Sequence, residues 1–326
     1  MDISRTCVVI IGRNEGDRLL RCLESLSTQT SQLVYVDSGS TDESVNTARE
    51  MGADIVALDL TVPFSAARAR NAGFERSRKL YPGARFVMFV DGDCEVSIGW
   101  LDYAVNFLDT HADVAAVCGR RRERFPEKSV FNMLCDMEWD TPIGETKACG
   151  GDVLMRVDAF EIADGFRPDI IAGEEPELCL RLRATGWKIW RVDHEMTLHD
   201  AAMKSFSQWW KRSKRGGYAY AEGVYLHGAS HERYRVRETR RIWIWGLGIP
   251  VVAISLVAWL GKSGLVLLLI YPVQVVRLAL RGKRTTKENW WRALFLVLGK
   301  FPEFIGQLKF ISNKLFGRVP SLIEYK

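Results

Sequence analysis

The first two hundred residues alternate short apolar runs with amphipathic stretches. Near-continuous, β-branched-rich runs predict strands over 6–11, 33–37, 55–58, 86–90 and 114–118. Between them, helical spacing predicts helices over 17–26, 42–51, 66–80 and 99–110, the first with Leu19, Leu20, Leu23 and Leu26 on one face. Ser40 and Glu43, three residues apart, read as a capping box for the second helix. Strands this apolar have no solvent-facing side, so the alternation predicts an α/β domain whose mostly parallel sheet is covered by helices on both faces. Ligands of such sheets bind beyond the carboxyl ends of the strands.

After residue 200 the pattern changes. The stretch 242–260 is nineteen residues without a charge, close to the roughly 20 that an α-helix needs to cross a bilayer core. A second apolar run, 265–280, is interrupted only by Arg277 and ended by basic residues at 281–284. A third, 290–316, mixes Leu and Phe with Lys300, Glu303, Lys309 and Lys314, which suits a helix lying in the membrane interface. Seven of the eleven Trp lie beyond residue 200, several at the ends of these runs, where an indole sits between water and lipid. The expected organisation is a catalytic domain over 1–203, a basic juxtamembrane linker over 204–241, a transmembrane hairpin over 242–284, and an amphipathic interfacial helix and tail over 285–326.

Charge sets the expected orientation. A formal charge of +5 over 326 residues is modest, but the linker holds ten Lys/Arg against only Glu222, Glu232 and Glu238. Basic residues at both outer ends of the hairpin place them on the cytoplasmic side. The N-terminal domain should share that side, since its first residues read as a strand and not as a signal segment. Seven cysteines, odd in number and without a CxxC pair, agree with a reducing compartment and with no zinc site. The basic run abuts lipid-seeking segments, so no nucleic-acid partner is expected.

Polar and acidic groups gather where the strands end: GRNEG after the first, DSGSTD after the second, DGD after the fourth. The first turn lacks GxGxxG and no GxxxxGK[ST] occurs, which excludes a dinucleotide fingerprint and a P-loop. A nucleotide would instead be held by side chains such as Asp37. Asp91-Gly-Asp93 closing an apolar strand is, alone, only a charged turn.

The motifs IIGRNEGDRL, YVDSGSTDES, SAARARNAGFE and FVDGDCE stand in an order and spacing that resembles the family 2 glycosyltransferases, which have the GT-A fold. Residues 150–160 and ADGFRPD are similar to the family's acceptor-side segment, and GEEPELCLRLR to its acidic catalytic segment. The resemblance implies inverting transfer from a nucleotide-diphosphate sugar with Mg²⁺ or Mn²⁺. It implies donor contacts at Arg13, Glu15, Asp37, Arg70, Asn71, Asp91 and Gly151. It also implies metal ligation by Asp91 and Asp93, with Asp93 the more direct ligand, and His199 completing the site. Hard cations take oxygen ligands, and one on a diphosphate stabilises the leaving group as a Lewis acid.

Inverting transfer needs a general base. Pro176 suits the first position of a helix, which places Glu175 at or next to its N-cap, where helix dipole and free amides favour an ionised carboxylate. Glu175 is the expected base and Glu174 the alternative, because the family has Glu-Asp where this chain has Glu-Glu. Gln208, Trp209 and Arg212 partly match the QxxRW motif of processive members and mark the acceptor or membrane side, although the Arg-Trp pair reads Lys211-Arg212.

The expected reaction delivers sugar, from a UDP-sugar in preference to GDP- or dTDP-sugars, to a polyprenyl-diphosphate-linked saccharide in exopolysaccharide, capsule or O-antigen assembly. A polyprenyl-phosphate monosaccharide synthase and a non-catalytic nucleotide-binding subunit are the alternatives. A second copy or a polysaccharide-assembly complex are candidate partners at the inner membrane.

Overall fold

The computed structural model describes residues 5–318; the ends of the expected first and last segments, 1–4 and 319–326, lie outside the described residues. The chain divides into two compact units, Met1–Phe125 with Cys135–Ala201, and Pro126–Leu134 with Ala202–Lys326.

In the first unit the chain runs β1 (Thr6–Gly12), α1 (Asp17–Ser27), β2 (Leu33–Asp37), α2 (Ser44–Glu50), β3 (Asp54–Ala57), α3 (Ala66–Leu80), β4 (Phe86–Asp91), β5 (Cys94–Val96), α4 (Trp100–Thr110) and β6 (Val114–Glu123). Helix α5 (Val130–Trp139) passes from the second unit's short segment into the first, followed by β7 (Gly144–Glu145), β8 (Val153–Arg156), α6 (Val157–Ile162), α7 (Glu174–Ala184) and β9 (Lys188–His199).

One sheet takes all these strands in the order β3-β2-β1-β4-β8-β6-β9-β5, with β7 beside β9. Pairings along β3-β2-β1-β4 are parallel, as is β6 with β9, while β8 is antiparallel to both β4 and β6. It follows that β3, β2, β1, β4, β6 and β9 all point one way. Their carboxyl ends, and the turn that leads into β8, share a single edge of the sheet. Both faces are buried: on β1, Val8 and Ile10 join the core under α1 and α4, and Cys7, Val9 and Ile11 the core under α3, α6 and α7. Alternating side chains of an all-apolar strand thus bury equally well on either side.

The expected strands and helices of this unit form, with shifts at their ends. Strand β6 continues to Glu123, well past the apolar run, because β9 pairs along its whole length. The expected capping box of α2 does not form: Glu43 is the N-cap without a side-chain cap bond, and the Ser40 hydroxyl instead accepts from the Asn14 amide at 2.9 Å.

The second unit is helical: α8 (Phe206–His227), α9 (Val236–Trp243), α10 (Ile249–Leu260), α11 (Ile270–Leu280), α12 (Thr286–Leu298) and α13 (Lys300–Leu315). Helices α8 and α13 cross backbone to backbone, since a Cβ on Gly217 would collide with the Glu303 carbonyl and one on Gly306 with that of Lys214. One helical stretch, Val236–Leu280, is long and apolar enough to cross a membrane, and only 11% of its most apolar window is buried. It doubles back at Gly261 (φ 63°): Gly264 lies against the backbone of Leu256 and Val257, and the Tyr271 hydroxyl donates to the Trp245 carbonyl at 2.5 Å. The expected single interfacial helix is two helices, α12 and α13, parted at Gly299.

Candidate active site

The strand-end edge is organised first by its loops. Asn14, in the left-handed region (φ 55°), accepts at its side-chain oxygen from the Thr41 amide (2.7 Å), which ties the loop after β1 to the loop after β2. The Asp37 carboxylate accepts from the amides of Gly39 (2.9 Å) and Ser40 (3.0 Å), so it fixes its own turn while standing at the edge. The Arg13 guanidinium lies over the Phe64 ring at 4.9 Å, and Glu15 pairs with Arg18 at 2.8 Å.

Arg70, on the first turns of α3 and only 2% exposed, is the hub. One Nη donates to Glu174 Oε1 at 2.6 Å and the other to Asp91 Oδ1 at 2.7 Å. A Cβ on Gly151 would stand 2.8 Å from Arg70 Nη2 and 3.0 Å from Asp91 Oδ2, so a larger residue there would press on this pair where the loop before β8 closes over it. Asn71, expected beside the donor, is used otherwise: its amide both donates to and accepts from the backbone of Phe166, at 2.6 and 3.0 Å, because its helix face turns toward that loop.

The two aspartates of the Asp91-Gly-Asp93 turn do not converge on one point. Asp91 presents its second oxygen to Arg121 Nη2 at 3.4 Å. Burial acts to raise its carboxyl, but Arg70 and Arg121 more than offset this and hold it below the ordinary carboxylate value. Asp93 Oδ1 instead faces His199 Nε2 at 3.2 Å, across the pairing of β5 with β9. The ligand atoms of Asp93, Cys94 and His199 all lie within 4.8 Å of one another, while Asp91 falls in a second group with Cys94 and Asp152. Burial pushes the Cys94 thiol well up, so the donors ready for an ion beside Asp93 are a carboxylate oxygen and an imidazole nitrogen. That set fits Mn²⁺ or Mg²⁺ better than a thiolate-seeking metal.

Several residues here carried no signal as site residues. Asp152, fully buried, accepts from the Asp91 amide (3.1 Å) and the Thr197 hydroxyl (2.8 Å) and faces Arg121 Nε at 3.3 Å. Arg121 stacks over Trp139 at 4.8 Å, and the Trp139 ring meets His199 edge-on at 4.7 Å. Asp152 directly follows Gly151 in the 150–160 segment, which is the one hint the sequence holds.

Helix α7 starts with Gly173 as N-cap (φ 83°), so Glu174 and Glu175 are its first two residues and Pro176 its third. This is earlier than expected, and the proline remains in the first turn, where a missing N–H costs nothing. The two glutamates part company. Glu174 turns to Arg70. Glu175, 2% exposed, accepts at Oε1 from the Cys149 amide (2.7 Å) and the Cys179 thiol (2.9 Å), while its buried Oε2 has no hydrogen-bond partner at bonding distance among the described residues. Burial pushes the Glu175 carboxyl up, more than those donors pull it down.

The acceptor-side residues lie on α8 in the second unit. The Gln208 side-chain oxygen accepts from the amides of Lys204 and Ser205, completing a capping box with Ser205, and Trp209 packs buried against Phe295 at 4.7 Å. Arg212 follows on the same helix.

Residues 7–159, which carry the strand-end edge through β8, match the model of glycosyl transferase family 2. That stretch, just under half of the chain, is similar to the family. Among curated proteins, the succinoglycan biosynthesis protein ExoA of Rhizobium meliloti (strain 1021) is 23% identical over 221 residues, 63% of this chain. The match spans 66% of that relative's length, just under two thirds. Among solved structures, the mannosyltransferase PcManGT of Pyrobaculum calidifontis, in complex with GDP-Man and Mn²⁺, aligns over 93% of this chain and 87% of its own, with TM-score 0.64 and 16% identity. Glucosyl-3-phosphoglycerate synthase of Mycobacterium tuberculosis aligns over 69% and 80%, with TM-score 0.50 and 18% identity. These likenesses establish the GT-A fold.

Proposed function

We propose that the protein transfers a sugar, with inversion, from a nucleotide-diphosphate sugar to a saccharide carried on polyprenyl diphosphate, at the cytoplasmic face of the inner membrane. The observation that carries the reading is the meeting, on one sheet edge, of the Asp93–His199 pair, the Arg70–Asp91 pair and the buried Glu175. The likeness to a succinoglycan biosynthesis protein supports a role in polysaccharide assembly. The apolar stretch Val236–Leu280 with basic residues at its ends supports membrane attachment of the 242–284 segment, with 1–203 as the catalytic part.

Arg13, on the loop after β1, and Asp37, at the end of β2, receive the nucleoside, and Arg70 faces the diphosphate. A divalent ion held by Asp93 and His199 would supply positive charge to the departing diphosphate; a relative of the same fold was solved with Mn²⁺ and GDP-Man. Glu175 takes the proton of the acceptor hydroxyl on Oε2 while its Oε1 stays anchored by Cys149 and Cys179. The acceptor oxygen bonds the anomeric carbon from the face opposite the leaving group, and the old carbon–oxygen pair leaves with the diphosphate. Burial that raises the Glu175 carboxyl brings it nearer the working pH, which makes it a stronger base than a solvated glutamate.

The test is transfer by protein in lipid nanodiscs, using labelled UDP-, GDP- and dTDP-sugars with Mn²⁺ or Mg²⁺. Labelled product on a polyprenyl-diphosphate saccharide is expected. Transfer to soluble acceptors alone would sink the lipid-linked reading, and transfer to bare polyprenyl phosphate would recast the enzyme as a carrier-lipid synthase.

A further inference from the structure

Arg121 is a cation placed inside the carboxylate cluster. It sits on β6 where the pairing with β9 slips twice, between Cys118 and Arg120 and again between Arg120 and Arg121. Bulges of this kind re-aim a side chain, and here Arg121 is turned inward, its side chain 14% exposed. Its Nε stands 3.3 Å from Asp152, and its Nη2 stands 3.4 Å from Asp91 and 3.6 Å from the Cys94 sulfur. That sulfur is 3.7 Å from Asp93 Oδ1, the oxygen that faces His199. The Trp139 ring covers one face of the guanidinium, so it has little freedom to swing away.

Building on the donor and metal reading above, we propose that Arg121 is a resident counter-cation that makes divalent-ion binding depend on the donor's diphosphate. Asp91, Asp93, Asp152 and Glu174 put four carboxylates close together, and Arg70 and Arg121 balance two of those charges. An ion arriving alone beside Asp93 and His199 meets the fixed positive charge of Arg121 in a setting that water screens poorly. A diphosphate arriving with it brings negative charge that both the ion and the arginines face, so each ligand tightens the other by the same factor. Arg121 is thus a positioning residue: it sets when the ion binds and does not touch the reacting atoms.

The sign of one measurement separates this from a role as a strut. Mn²⁺ binding is followed by electron paramagnetic resonance, alone and with saturating UDP or GDP, for the whole protein in detergent. Wild type is expected to bind Mn²⁺ at least ten-fold more tightly with the nucleotide that its site accepts. Arg121→Gln should bind Mn²⁺ alone at least ten-fold more tightly than wild type, with the nucleotide effect shrinking toward none, while Arg121→Lys keeps the wild-type pattern. Asp152→Asn, which removes the anion beside Arg121, should move both quantities the other way. If Arg121→Gln melts like wild type yet binds Mn²⁺ alone no more tightly, or less so, the proposal is wrong and Arg121 only braces Asp91. Should Arg121→Gln not fold, an unchanged nucleotide effect in Asp152→Asn overturns it equally. A wild type that binds no Mn²⁺ with either nucleotide would instead defeat the donor and metal reading itself.

Discussion

Glu175→Gln separates the two adjacent glutamates. The amide is the same size as the carboxyl, and its carbonyl can accept from the Cys149 amide and the Cys179 thiol as Oε1 does now. Proton acceptance at Oε2 is lost, and general-base catalysis is worth roughly 10² to 10⁴ in rate, or about 3–5 kcal/mol of barrier. Stability moves little, because two effects oppose. The new NH₂ has no acceptor where Oε2 has no partner now, a cost of about 1–3 kcal/mol. Against that, the variant removes a charge whose burial the fold resists. The raised Glu175 carboxyl binds its proton more tightly folded than unfolded, so wild-type stability falls as pH rises from the ordinary carboxylate value through the raised one. The variant's melting temperature should therefore gain on wild type across that window, while nucleotide still shifts it upward. Glu174→Gln weakens one of the two Arg70 ion pairs, at 2.6 Å, and should raise the donor KM with a smaller effect on kcat. The assay is steady-state transfer from labelled donor with melting curves on the same samples. The reasoning is refuted if Glu175→Gln keeps more than a tenth of wild-type kcat, or if Glu174→Gln is the variant that loses turnover.

Four further outcomes are expected. The kcat profile should fall on its acid side at a pH above the ordinary carboxylate range, since the base must be ionised and burial raises Glu175; a limb near pH 4 would exclude it as the base. Gly151→Ala puts a Cβ 2.8 Å from Arg70 Nη2, so donor affinity measured by nucleotide thermal shift should drop at least ten-fold, by about 1.4 kcal/mol or more, with the unliganded melt kept. Asp93→Ala should abolish Mn²⁺-dependent activity and Mn²⁺ resonance changes together, and activity that survives in chelator would show that the ion is dispensable. Gly306→Leu drives a side chain into the Lys214 carbonyl and should cost about 1–3 kcal/mol or more, seen as a lower unfolding midpoint in detergent; an unchanged midpoint would mean that α8 and α13 do not cross there.

The sheet was legible because its long strands are apolar on both sides, a pattern few other arrangements satisfy. Asp37, Asp91, Asp93 and Glu175 could be singled out as candidates because they stand where strands or a helix begin or end, and Arg70 because it lies in the first turns of α3. Local pattern fails where one chemical group has two uses. Gln208 is a polar residue near tryptophans whether it meets an acceptor or caps a helix, and here it caps. Asn71 is an amide beside Arg70 whether it binds donor or holds the Phe166 backbone. Arg121 hides in GRRRE, which reads as a solvated basic run; only the slipped pairing with β9 turns it inward. Glu174 and Glu175 are the same letter twice, and only the direction of the first turn of α7 sends one to Arg70 and the other to Cys149.

That division of the glutamates also bears on why the edge is so heavily charged. Buried ion pairs seldom repay the cost of leaving water, and well-packed apolar residues of similar volume are often more stable. The sheet has apolar residues to spare, yet Arg70, Asp93, Asp152 and Glu175 are all nearly or wholly buried at its carboxyl edge. Nothing in the topology demands charge there, because β1 and β4 reach the same edge with Ile11 and Val90 beneath it. Charges gathered at the place where parallel strands leave a crevice are the arrangement that recognition of a charged ligand would use.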